Sequence, residues 1–220
     1  MAIMAYFGVN EHGRFDRNLA KQQFDAHVEN IVKKHAEATK ELRKGGSEWY
    51  EKAHEEAKRV GGGDITKGAG IIAALSPLTD WNKNVTYAHQ LAKTGDSPST
   101  LIRKNVEKAQ RIQAGEHPRD VLGGHKVRSF FENIHDPSNP EHVTIDRHAY
   151  DIAVGRPFVG TGGSRDLNWT PGKMSEDLGL SAKSRYDHFV DAYKSASQKL
   201  GVEIPNRTQA VTWVAHRGAL

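Results

Sequence analysis

Apolar residues recur at helical spacing along most of the chain. Phe24, Val28, Ile31, Val32 and His35 fall on one face and predict a first long helix. Trp49, Tyr50, Ala53, Ala57 and Val60 repeat the pattern after "KGGS", where Ser47 is the expected N-cap. A third helix is expected to start near Asp64 in "GGGDITKGAGIIAALSP" and to stop before Pro77. The next, in "LTDWNKNVTYAHQLAKTGD", opens on Thr79 or Asp80 and closes at Gly95. Ile102, Val106, Ala109 and Ile112 mark another, and Val127, Phe130, Phe131 and Ile134 a short one behind Gly123–Gly124. Residues 156–182 are rich in Gly, Pro and Ser and predict a long loop with at most one short helix. Two helices are expected over 183–220. The first carries Tyr186, Phe189, Val190, Tyr193, Ala196 and Leu200, and the second carries Ala210, Trp213, Val214 and Arg217. The expected class is all-α, a single helical domain of two packed lobes without internal repeats.

Composition narrows the setting. The chain has 220 residues, 37% of them hydrophobic, and a mean hydropathy of −0.67, so a soluble protein with its own core is expected. Its first residues, "MAIMAYFGVNEHG", have neither a basic start nor an apolar stretch of signal-peptide type. No apolar run approaches the roughly 20 residues needed to cross a bilayer. The expected location is the cytoplasm, a host's cytoplasm if the chain is phage-encoded. There are no cysteines, which excludes disulfides, thiol nucleophiles and cysteine-ligated clusters. A net charge of +4, a pI near 9.2 and 12 histidines suit a polyanionic partner.

Three motifs carry little. "GGGDITKGAG" suggests a phosphate loop but lacks G-x-x-x-x-G-K-[ST] and follows no strand, so it reads as a helix connector. His125, His135, His142 and His148 crowd together without metalloprotease spacing, and no metal or cofactor is expected. The run "KKHAEATKELRKGG" reads as a solvated face or as a contact to DNA phosphates.

Residues 123–149, "GGHKVRSFFENIHDPSNPEHVTIDRHA", carry the candidate chemistry. A neutral lysine amine attacks electrophilic carbons such as a sugar C1′. An aspartate stabilises positive charge growing on a sugar ring or activates a nucleophile. A helix from Lys126, a turn at "HDPSNP" and a return through "EHVTID" can bring Asp146 back beside Lys126. Gly123 and Gly124 suit a tight turn whose amides approach a phosphate. Each residue also has a plainer reading: Asp146 as a helix N-cap, Lys126 as a surface lysine, the glycines as a turn.

"GGHKVRSFFENI…VTIDRHAYDIAVG" resembles the helix-hairpin-helix (HhH-GPD) DNA glycosylase superfamily, in the manner of a divergent phage-like member. Upstream, "IIAALSPLTDWNKNVTYAHQLAK" is similar to that family's early segment, and the likeness covers about residues 64–155. The resemblance implies a two-lobed helical fold in which Asp146 breaks the N-glycosidic bond and Lys126 forms a Schiff base with C1′. It implies DNA contacts at Gly123, Gly124, His125, Arg128, Arg147, His148 and Lys67. It also implies a base pocket, between two helical lobes, lined by Ser76, Thr79, Asp80, Trp81 and Asn84. The partner would be double-stranded DNA with a modified base, and the protein a monomer.

The chain departs from the family in several places. "DVLGGHK" has neither the proline nor the spaced glycines of the usual L-P-G-[IV]-G-x-K hairpin. Pro77 and Leu78 stand where a glutamine-containing step is usual, and the stretch from 155 onward has no counterpart. The leading expectation is a DNA glycosylase, with or without lyase activity, that extrudes its base from the stack. A glycosylase-fold enzyme that modifies thymine without excision is the first alternative, and a non-catalytic DNA-binding protein the second.

Overall fold

The computed structural model describes residues 16–97, 100–156 and 182–218, with side chains in the last stretch from Tyr186 onward. Among the described residues every element is an α-helix: α1 (Arg17–Ala36), α2 (Lys40–Ser47), α3 (Trp49–Val60), α4 (Ile65–Leu75), α5 (Trp81–Thr94), α6 (Arg103–Gln113), α7 (Pro118–Val121), α8 (His125–His135), α9 (Arg147–Val154), α10 (Ala182–Leu200) and α11 (Pro205–Arg217). The protein is all-α, as the spacing predicts. The expected loop at 156–182 falls almost entirely outside the described residues. No described helix is long and apolar enough to cross a membrane.

The helix boundaries follow from side chains that satisfy free backbone groups. Asp16, Asp64, Asp80 and Asp146 each accept from amides in the first turn of α1, α4, α5 and α9. Gly95, Gly155 and Gly218 end α5, α9 and α11 in the left-handed conformation that glycine adopts without steric cost. One boundary differs from expectation. Ser47 does not cap α3: it ends α2, its hydroxyl donating to the Lys44 carbonyl at 2.9 Å, and Glu48 holds the cap position without a capping bond, its carboxylate pairing instead with Lys52 at 3.1 Å. The "GG" before it is no break either. Gly45 and Gly46 are buried inside α2, and a Cβ on Gly46 would lie 2.6 Å from Val211 Cα of α11. Close packing of two helix backbones has overridden glycine's poor helix propensity.

The chain divides into two compact units, residues 1–47 with 145–220, and residues 48–144. The 64–155 core suggested by the family likeness is therefore split at Ile145. The second unit is organised around α4, whose residues from Gly68 to Leu75 are all buried, with α3, α5, α6, α7 and α8 packed on it. Gly68 crosses Ala57 and Gly61 at the end of α3, and Gly70 faces Pro118 and Ile112. So the second half of "GGGDITKGAG" is a buried helix, not a loop.

In the first unit, α1, α9, α10 and α11 bury Val28, Ile31, Tyr150, Phe189, Tyr193 and Val214 together. Tyr193 donates to the Ala149 carbonyl at 3.1 Å, and the Ile145 amide donates to the Tyr186 hydroxyl at 3.0 Å. His27 of α1 meets His188 of α10, Nδ1 to Nε2, at 3.0 Å among Phe24 and Phe189. Burial pushes both imidazoles down to about 4, with mutual repulsion adding to the shift on His27.

Two outcomes follow. Gly46→Ala is expected to destabilise the protein by about 1–3 kcal/mol, more than the roughly 1 kcal/mol that alanine gains in a helix, as read by denaturant unfolding. Unfolded histidines protonate near pH 6.5 but this folded pair only near 4, so the unfolded chain binds more protons in that window. The pair's contribution is complete above about pH 6.5 and is lost as pH falls toward 4. Hydrogen exchange in α1 and α10, corrected for the pH dependence of the chemical step, is expected to show about 2 kcal/mol less protection per histidine at pH 5 than at pH 7. His188→Gln is expected to flatten that slope.

Candidate functional site

The candidate residues form two groups, one in each unit. In the second unit, α7 leads through Leu122 into Gly123 and Gly124 and then α8. Gly124 has φ 77° and ψ 139°, a conformation that only glycine holds without strain, so this glycine is dictated by the turn. Gly123, Gly124 and His125 are exposed, and Lys126 is half-buried in the first turn of α8. The Lys108 amine lies 3.7 Å from where a Cβ on Gly123 would sit, which adds a cation to an exposed backbone turn. Arg128 serves the fold: its Nε donates to the Leu122 carbonyl at 2.7 Å and pins the turn.

One helical turn beyond Lys126, on the same face of α8, stands Phe130. Its ring lies 6.1 Å from Trp49, and Trp49 lies 4.8 Å from Trp81. Trp49, Trp81 and Phe130 are all half-buried, while Tyr50 closes the cluster from the buried side. Trp49 and Trp81 are the first residues of α3 and α5, so the N-terminal ends of these two helices meet at the aromatic cluster. Such ends carry partial positive charge and project amides.

The expected base-pocket residues sit at the junction of α4 and α5. Asp80 caps α5, accepting from the Asn82 amide at 3.0 Å, and hands the chain to Trp81. Ser76 is buried, its hydroxyl donating to the Ala73 carbonyl at 2.9 Å, and Thr79 donates to the Pro77 carbonyl at 3.3 Å. Asn84 is buried, with Nδ2 donating to the Ile72 carbonyl at 3.1 Å and Oδ1 left without a partner among the described residues. The turn's tip is Leu78, 76% exposed, with φ 61°, the only non-glycine residue in the left-handed region among those described. Lys67 stands elsewhere. It is in the first turn of α4, the end at which Thr66 reaches His135, roughly 13 Å of helix from Ser76.

The first unit resumes at Ile145, followed by Asp146, the N-cap of α9. One carboxylate oxygen of Asp146 accepts from the Ala149 amide at 2.8 Å, and the other accepts from Trp213 Nε1 of α11 at 3.2 Å. The cap alone would hold one oxygen; the indole fixes the second and so sets the plane of the carboxylate. Arg147 and His148 follow on α9, and His148 meets Trp213 edge-on with ring centroids 6.3 Å apart. Burial lowers His148 below the ordinary imidazole value; Asp146 opposes the shift, while Arg147, His216 and Arg217 add to it. The sequence placed Trp213 on the face of the last helix without a chemical role.

This is an all-α protein with an oriented carboxylate in one unit and, in the other, a lysine one helical turn from an aromatic cluster. The chain belongs to a family described as a family of unknown function (DUF7178), matched over residues 15–220. No curated protein and no solved structure matches it.

Leu78 contributes strain rather than burial, so Leu78→Asn, which suits the left-handed region, is expected to leave stability unchanged or raise it by up to about 1 kcal/mol. A loss of more than that in thermal or denaturant unfolding would show that Leu78 supports the fold.

Proposed function

We propose that the protein is a DNA glycosylase with an associated lyase step, acting on a modified base extruded from the duplex. The observation that carries this reading is the run of Lys126, Phe130, Trp49 and Trp81 on the second unit: an amine one turn from half-exposed rings. A flipped base is bound by stacking, worth about 1–3 kcal/mol per base on an aromatic ring, and is attacked at its sugar. Leu78 supports the reading, since an exposed apolar side chain at a turn suits insertion between base steps. Asp146 supports it from the first unit, as a carboxylate held by two N–H donors.

In the proposed reaction the N-glycosidic bond breaks and the base leaves with the electron pair. The Asp146 carboxylate stabilises the positive charge left on the sugar. Lys126 Nζ, as the neutral amine, forms a bond to C1′ and gives up a proton; the C1′–O4′ bond then breaks, O4′ takes a proton, and the iminium left at C1′ permits β-elimination of the 3′ phosphate. Exposed amides at the Gly123–Gly124 turn, with Lys108 beside them, suit a backbone phosphate.

The test incubates the protein with duplexes carrying uracil, hydroxymethyluracil, thymine glycol, oxoguanine or alkylated purines in the presence of borohydride. A covalent protein–DNA adduct is expected with one of them. It is expected to vanish in Lys126→Ala, and base release to fall by 100-fold or more in Asp146→Asn, which keeps a capping side chain. Binding of the duplex with neither adduct nor released base would overturn excision and leave modification or plain binding.

A further inference from the structure

The head of α9 brings Arg147, His148, His216 and Arg217 together around Asp146. Arg147 and His148 are the first two residues of α9, at the positive end of a helix, where a cation such as the Arg147 guanidinium is disfavoured. From α11, His216 approaches His148 with ring centroids 5.4 Å apart, and the Arg217 guanidinium stands 4.9 Å over the Trp213 ring. Asp146 is the carboxylate at hand, and both of its oxygens already accept from uncharged donors, the Ala149 amide and the Trp213 indole. Arg147 Nε and His148 Nδ1 are buried atoms with no hydrogen-bond partner among the described residues.

Helix ends account for half of this. His216 and Arg217 lie in the last turn of α11, where the negative end of the helix favours cations. Nothing of the kind favours Arg147 and His148, and a buried guanidinium nitrogen without a partner costs about 1–3 kcal/mol or more. Such a cost is relieved by an anion that accepts from several donors at once. A phosphate group has the oxygens, the charge and the match to guanidinium geometry.

We propose that Arg147, His148, His216 and Arg217 form a phosphate-binding site at the head of α9, beside the Asp146–Trp213 pair. This deepens the DNA reading and rests on it only for the source of the phosphate, a nucleic-acid backbone rather than a free phosphate ester. A phosphate held here would sit next to the carboxylate that the proposed chemistry uses, fixing the strand that carries the sugar.

Imidazole NMR of the full chain tests the site directly. Inorganic phosphate, titrated against chloride at equal ionic strength, is expected to move the His148 and His216 resonances saturably. Arg217→Gln, at an exposed position, and Arg147→Gln are each expected to weaken that response by 10-fold or more. A 15-base-pair duplex is expected to move the same resonances and to compete with phosphate. With Arg217→Gln the salt dependence of duplex binding is expected to lose about one unit of slope. A shift with phosphate but none with a duplex that still binds by gel mobility would leave the site in place and overturn the backbone as its source. Silence of both histidines towards phosphate and duplex would overturn the site, while gel mobility and borohydride trapping would still report separately on DNA binding and excision.

Discussion

The second unit depends on how close other helices can come to α4. That helix is buried on every side from Gly68 to Leu75, and glycine or alanine fills five of those eight positions. At Gly68 and Gly70 a single added methyl would meet the backbone of α3 or the ring of Pro118. Small residues let the surrounding helices approach nearly to backbone contact, and interiors packed that tightly do not absorb added volume. Everything in this unit that carries chemistry stands on helices held this way: Trp49 on α3, Trp81 on α5, and Lys126 with Phe130 on α8. Asn84 reinforces the arrangement, tying α5 to the Ile72 carbonyl of α4 from a buried position.

The first unit uses the same device once and then adds polar ties. Gly46 lets α2 lie against Val211 of α11, and α11 in turn presents Trp213 to Asp146. Asp146 thus connects local and tertiary structure: one oxygen starts α9, the other is held by a residue 67 positions away in sequence. Tyr186 and Tyr193 of α10 bind the backbone on either side, at Ile145 and Ala149. A carboxylate supported from three helices has little rotational freedom, and that is what electrostatic stabilisation of a growing charge requires.

Much of the helical layout was legible because it was written in local chemistry. The caps at Asp64, Asp80 and Asp146 and the glycine stop at Gly95 each satisfy backbone groups within a turn, so spacing announces them; Asp16, Gly155 and Gly218 work the same way but emerge only from the structure. Ser47 misled for the converse reason. A serine after two glycines reads as a helix start, yet α2 runs through both glycines because Val211, distant in sequence, leaves no room for a side chain. Asp146 was visible as a cap and, through family likeness, as a candidate acid. Its second partner, Trp213, was not, since no local pattern links residues that far apart. The aromatic face was half visible: Trp81 stood out beside Asp80, whereas Trp49 and Phe130 looked like core residues on their own helices and became a surface only when those helices met.

Three features of the chain work against folding and are not needed for it. Leu78 holds a left-handed conformation with three quarters of its surface in water, gaining almost no burial in return. Arg147 keeps a guanidinium nitrogen buried and unpartnered at the unfavourable end of a helix, with His148 beside it in the same condition. Gly123 exposes backbone at a turn where a less entropically costly residue would serve if only the connection mattered. Folding energetics alone would remove such features, because most single replacements that relieve strain or restore a partner stabilise a protein. Their chemistry is shared: an apolar tip, nitrogens without an acceptor among the described residues, and open backbone amides are what a base step and a phosphate would satisfy. These terms are independent of the carboxylate and the amine on which the proposed reaction rests.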